Sequence, residues 1–167
     1  MIKNLFTIFF LLFTTTLNSA SLNMIGEKGN EMNIDREITI KMYDNYFKPN
    51  LIKIKKGETI KFIISNNGSL VHEYNIGTKK MHLKHQEEMQ KLVDNEIIKG
   101  GEIDKIKMKI MSKKDHSLAH SHSNSVMLEP NQTGEVIWKF TKDLDLEMGC
   151  NVPGHYHSGM VGKITIY

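Results

Sequence analysis

An all-β sandwich carrying a helical and loop insertion is the fold class this sequence predicts, and three observations predict it. Apolar and polar residues alternate over residues 37–42, 51–55, 59–65 and 136–140, the period of strands with one buried face. Turn residues interrupt these runs about every eight to twelve positions, the rhythm of a sandwich or barrel. One long stretch, residues 78–99, abandons that rhythm for three- and four-residue apolar spacing.

The elements follow in order. Lys3 precedes an apolar run over residues 5–13 and a Thr/Ser stretch ending at Ala20. A positive start, a short apolar centre and a small residue at the exit form the pattern of a secretory signal, with cleavage expected after Ala20. The run falls short of the roughly 20 apolar residues that span a bilayer, so no stable membrane insertion of the mature chain is expected. Residues 21–36 are polar, hold Gly26 and Gly29, and read as a flexible lead-in. In the first strand Ile38, Ile40 and Met42 share one side, with Thr39 and Lys41 opposite. Asp44-Asn45 and Lys48-Pro49-Asn50 make turns, and residues 51–55 and 59–65 form two strands joined at Lys56-Gly57-Glu58, which reads as a hairpin. After the Asn66-Asn67-Gly68-Ser69 turn comes a short strand over residues 71–76.

An insertion spans about residues 77–125. Met89, Leu92, Val93 and Ile97 mark an amphipathic helix over 78–99, ended by Gly100-Gly101. Ile106, Met108 and Ile110 alternate with lysines and suggest an edge strand, and residues 112–125 form a His-rich loop. Within that loop His116-x3-His120-x-His122 has metal-compatible spacing, so the insertion is a candidate second metal site. The β rhythm then resumes through Val136, Trp138 and Phe140, through Leu144, Leu146, Met148 and Cys150, and through residues 163–167. Trp138 reads as core.

Composition narrows the function. Lys and Arg total 22 against 19 Asp and Glu, without massing, which leaves no patch for nucleic acid. A single cysteine excludes an internal disulfide framework and any Cys-pair zinc module. In an oxidising compartment a lone thiol is vulnerable unless it is buried or its sulfur is occupied, as a metal would do.

The most informative segment is Cys150-Asn-Val-Pro-Gly-His155-Tyr-His-Ser-Gly-Met160. It offers a thiolate, an imidazole and a thioether where one strand ends and the last begins, and a loop that short returns all three to one point. Soft sulfur donors mixed with imidazole select copper, and two His, one Cys and a distant Met make a blue-copper set. The second imidazole must come from elsewhere, and His72, at a strand start, is the natural choice. Zinc is the rival ion, but copper(II) has the higher intrinsic affinity and Met is a poor zinc ligand.

On these residues the sequence resembles the cupredoxins. Cys150-x4-His155-x4-Met160 followed by Val161-Gly162-Lys163-Ile164 is similar to the rusticyanin form of the ligand loop. Tyr46-Phe47-x-Pro49, Gly57-Glu58-Thr59-Ile60-x-Phe62 and Asn66 before His72 resemble the family's N-terminal strands. His72-Glu73-Tyr74, Trp138 and Pro153-Gly154-His155-Tyr156 resemble the exported branch linked to copper tolerance. The resemblance implies a Greek-key sandwich over 37–167 and one type 1 copper per chain, with His72, Cys150 and His155 in plane and Met160 axial. It favours His155 over the neighbouring His157 as the loop imidazole. It further implies a periplasmic electron carrier, not an enzyme, meeting a redox partner or a copper-handling protein. A copper-sequestering or copper-delivering role in tolerance is the alternative. Electron-carrying relatives often have Asn after the first His, whereas here Glu73 follows it.

Overall fold

Alternation along the chain becomes alternation between core and solvent wherever a strand has one dry face. In the computed structural model, which describes residues 24–167, the residues of β5 (Thr59–Asn66) that point inward, Ile60, Phe62 and Ile64, are fully buried. The other strands are β1 (Glu27–Lys28), β2 (Arg36–Tyr43), β3 (Tyr46–Lys48), β4 (Leu51–Ile54), β6 (His72–Gly77), β7 (Ile98–Lys99), β8 (Glu102–Ile103), β9 (Ser125–Leu128), β10 (Thr133–Lys139), β11 (Leu146–Gly149) and β12 (Val161–Ile166). Two helices, α1 (Lys79–Asp94) and α2 (Lys105–Met111), stand between β6 and β9. The apolar run at 5–13 and the expected cleavage after Ala20 lie outside the described residues.

The strands form two five-stranded sheets, ordered β1-β10-β5-β2-β3 and β4-β12-β11-β6-β9, with β7 and β8 as a separate hairpin. The β2–β5 and β12–β4 pairs are parallel and the remainder antiparallel. This is the expected Greek-key sandwich. Its centre is aromatic: Phe62 of one sheet lies 5.3 Å from Tyr74 of the other, ring centre to ring centre, and 6.2 Å from Phe140. Such tilted and edge-on contacts add to the burial of large apolar surfaces.

Strand β6 differs from the rest because all six of its residues are buried. One side faces the core through Tyr74 and Ile76, and the insertion covers the other. Helix α1 begins at Thr78, whose hydroxyl accepts from the Met81 amide at 3.3 Å. It buries His82, Met89 and Leu92 along one stripe, with His85 on the same face.

Four local expectations change. Residues 51–55 and 59–65 do not pair as a hairpin: β4 and β5 belong to opposite sheets, so Lys56-Gly57 is a corner between them. Gly57 takes a φ of 95°, and the Glu58 amide donates to the Lys55 carbonyl at 3.0 Å. The helix expected over 78–99 stops at Asp94, and Gly100-Gly101 is the turn of the β7–β8 hairpin. The edge strand expected around Ile106, Met108 and Ile110 is helix α2, capped by Asp104, which accepts from the Lys107 amide. There the inward residues are Met108 and Met111, three apart, while Ile106 and Ile110 stay exposed. The lead-in expected to be flexible is, from Met24 on, laid against the sandwich. Ile25 is buried, its carbonyl accepts from the Trp138 indole at 3.4 Å, and Glu27 and Lys28 pair with Lys139 and Trp138. A buried indole N–H needs an acceptor, and the lead-in supplies it.

No helix among the described residues is long and apolar enough to cross a membrane. Phe62 links both sheets, so Phe62→Ala is expected to cost about 3–5 kcal/mol of stability, read from urea unfolding midpoints.

Candidate metal centre

Three side chains from two distant stretches meet at one end of the sandwich. His72 opens β6, Cys150 follows the last residue of β11, and His155 lies in the loop that leads to β12. The β6–β11 pairing, with Asn75 opposite Gly149, brings the two stretches together. His72 Nδ1 and His155 Nδ1 are 3.2 Å apart. Cys150 Sγ is 3.4 Å from His155 Nδ1 and 3.8 Å from His72 Nδ1. Donors bound to one ion at about 2.0–2.3 Å have such separations, so the trio fits a single metal.

The loop is shaped by its own backbone. The Cys150 amide donates to the Met160 carbonyl at 3.2 Å, and the Met160 amide donates to the His155 carbonyl at 3.0 Å. The residues that carry the sulfur, nitrogen and thioether donors are thus tied to one another by main-chain bonds. Gly154 and Gly159 turn the chain with φ of 88° and 101°, which side chains rarely adopt. Met160 is fully buried. His157 is exposed and is not one of the clustered donors.

Two residues that the sequence did not single out hold His72 in place. The His72 Nε2–H donates to Asp44 Oδ1 at 2.9 Å. A carboxylate only accepts, so the proton sits on Nε2 and the Nδ1 lone pair is free to face the sulfur. Asp44 belongs to the β2–β3 turn and also accepts from the Ser69 amide at 3.0 Å. Gly68 makes the approach possible: a Cβ there would collide with Asp44 Oδ1 and lie 2.7 Å from His72 Nε2. Asn66 shapes this turn, donating to the Leu70 and Leu128 carbonyls and accepting from the Gly68 amide. The one hint in the sequence was that Asp44 and Gly68 both occupy turns.

Burial sets the chemistry of the donors. It pushes the Cys150 thiol up to about 12, with the nearby Glu73 charge adding to the effect and the Glu73 and Val152 amides opposing it. The Glu73 amide lies 3.3 Å from the sulfur. Desolvation also holds the imidazoles of His72 and His155 below the ordinary histidine range. Both rings therefore present lone pairs at neutral pH, and a cation replaces only the thiol proton. This donor set, one thiolate, two imidazoles and a buried thioether, matches a soft transition ion.

The insertion regroups the other histidines. His116, exposed at the start of a 3-10 turn (His116–Ala119), stays apart. His120 and His122 instead meet His85 of α1. The signal in the sequence for His85 is its helical spacing from His82, Met89 and Leu92, the buried face of α1. His82 packs against Tyr156 and contacts Asn151.

Known proteins agree with this architecture. The cupredoxin-like domain family matches residues 5–114, a span that ends before the Cys150–Met160 loop. A copper-resistant cuproprotein CopI of Pseudomonas aeruginosa is 38% identical over 155 residues, covering 84% of this chain and 81% of its own. The copper-resistant cuproprotein CopI of Rubrivivax gelatinosus is 28% identical, covering 84% and 72%. Among solved structures, the auracyanin of Roseiflexus castenholzii superposes with a TM-score of 0.57 at 18% identity, covering 80% of this chain and 98% of its own. With this sandwich, this converging His72/Cys150/His155 trio, a buried Met160 at the end of the same loop and these relatives, the chain belongs to the cupredoxin-like family as a homologue of the CopI cuproproteins.

Proposed function

We propose that this chain is an exported copper protein whose His72, Cys150, His155 and Met160 hold one type 1 copper ion and pass single electrons through it. The observation that carries the reading is the approach of Cys150 Sγ to both His Nδ1 atoms, at 3.4 and 3.8 Å. Copper in such a set supplies a one-electron couple.

The protein's own residues do the rest. Asp44 fixes the His72 tautomer, and the main-chain bonds of the 150–160 loop fix Cys150 and His155. A donor set held this firmly rearranges little when the charge at its centre changes, which favours fast transfer. The Glu73 amide beside the sulfur withdraws charge from the thiolate and tunes the couple. His155 is only half-buried, so its outer edge is the contact for a redox partner. Four donors from the protein leave no binding position intended for a substrate, which supports a carrier over an enzyme. The apolar run at 5–13 behind Lys3 supports export to the periplasm.

The named role of the relatives supports a second reading, in which the same chain holds copper for tolerance. The His- and Met-rich insertion lying against β6 favours it. The readings separate on stoichiometry and kinetics: a carrier shows one reversible potential and rapid reduction by a protein donor, whereas a store takes up further copper.

Copper(II) loading is expected to produce an intense thiolate-to-copper absorption band that Cys150→Ser abolishes; a colourless wild-type protein would refute the site. Asp44→Ala is expected to weaken copper binding about 10- to 100-fold, the usual cost of losing the hydrogen bond that orients a ligand histidine. Competition against a chelator of known affinity measures it, with circular dichroism showing an unchanged fold.

A further inference from the structure

We propose that His85, His120, His122 and the carboxylate of Glu73 form a second metal site, for a copper(II) ion, beneath the insertion. The three imidazole rings stand in a near-regular triangle, with centres 5.3 Å (His85–His120), 5.1 Å (His85–His122) and 5.3 Å (His120–His122) apart. One ring nitrogen from each lies within 4.8 Å of the others. His85 Nε2 and His120 Nε2 are 3.3 Å apart, the separation of two nitrogens sharing an ion at about 2.0 Å in a tetrahedral arrangement. Both face Glu73 Oε1, at 3.0 and 2.9 Å.

Several features show that this arrangement is built. Glu73 has no exposed surface, and a carboxylate in such a place needs positive charge beside it. Burial opposes its charge, yet His85 and His120 hold its carboxyl well below the usual range. A second carboxylate, Glu88, flanks the triangle, with Oε2 3.0 Å from His85 Nδ1 and 3.5 Å from His122 Nε2. His122 Nε2 is buried and has no hydrogen-bond partner. His120 adopts the left-handed backbone region, φ 43° and ψ 52°, which turns its ring position out of the 3-10 turn. Three elements supply the donors: β6, α1 and the loop after the 3-10 turn, the last 35 residues beyond His85 at His120.

The donors name the ion. Three imidazoles and a carboxylate contain no sulfur, so the soft copper(I) preference of the Cys150 site is absent here. Among divalent ions copper(II) binds such a set most tightly, ahead of zinc. Glu73 then serves two sites. Its Oε1 meets His85 and His120, while its Oε2 accepts from the Asn151 side chain at 2.8 Å and the Asn151 amide at 3.3 Å, next to Cys150. This gives a role to the glutamate that stands where electron-carrying cupredoxins often have asparagine.

The test is titration of the metal-free full chain with copper(II) alone, followed by visible absorption and electron paramagnetic resonance. Two equivalents are expected: one with the thiolate band, and one with wide hyperfine splitting and no such band. His120→Ala/His122→Ala is expected to lose the second signal and keep the band, and Cys150→Ser to do the reverse. Glu73→Gln is expected to weaken the second equivalent at least tenfold. His116→Ala, outside the triangle, is expected to leave both unchanged. A wild-type chain that binds a single copper with the thiolate band overturns the second site and leaves the first reading standing. A chain showing only the wide-splitting signal does the opposite.

Discussion

The pairing of β6 with β11 is the constraint on which the rest of this structure depends. It sets Asn75 against Gly149 and so brings the start of β6 beside Cys150. Because side chains alternate along a strand, that register decides more than one contact. His72 and Tyr74 point one way, toward His155 and toward the aromatic core. Glu73 and Asn75 point the other way, toward Asn151, His85, His120 and Asn124. A slip of one residue would turn Glu73 toward the sulfur and His72 under the insertion. Burial on both faces makes such a slip costly, since it would also drive Tyr74 out of the core and leave a carboxylate unpaired there.

The same pairing explains why the insertion packs where it does. An inner strand with polar residues on its second face cannot leave them half-dry; they are either solvated or given partners. Here α1 and the His-rich loop supply partners, and the dry surface they need comes from their own apolar residues, Met89, Leu92 and Leu118. The insertion is therefore both a cover for the far side of β6 and a set of nitrogen donors aimed at it. Helix α2 contributes Met108 and Met111 to the same packing.

Much of the first site could be read from the chain because its donors sit close together in sequence. Cys150, His155 and Met160 lie within eleven consecutive positions, and main-chain bonds within that loop tie them to one another. His72 was legible as the start of a strand within the sandwich. Asp44 and Gly68 were not, because one acts through a hydrogen bond to a distant ring and the other through the absence of a Cβ. His85 was missed in favour of His116 for a related reason: local spacing favours neighbours in sequence, whereas the third nitrogen comes from a helix 35 residues before His120. The errors in secondary structure have similar roots. Over the few residues of α2 an alternating pattern also satisfies helical spacing, and the Asp104 cap decides between them. Turn residues at Lys56-Gly57 announce a reversal but not the sheet to which the chain returns.

Charge ties the two groups of donors together. Asp44 lies on one side of the sulfur-bearing site and Glu73 on the other, and Glu73 is fully buried. A fixed negative charge in a poorly solvated place favours the more positive state of whatever is bound nearby, by an amount that grows as the local dielectric falls. Left uncompensated, Glu73 would therefore favour the oxidised state at Cys150 and lower the potential of that centre. Against the effect of burial, Glu73 and Glu88 raise His85 to about 10, so its ring compensates that charge at neutral pH through the protons it holds. A metal ion in their place would be a stronger and more permanent counter-charge on the same carboxylate. Metal at one proposed site would thus be felt at the other through the single carboxylate of Glu73, which contacts both groups of residues.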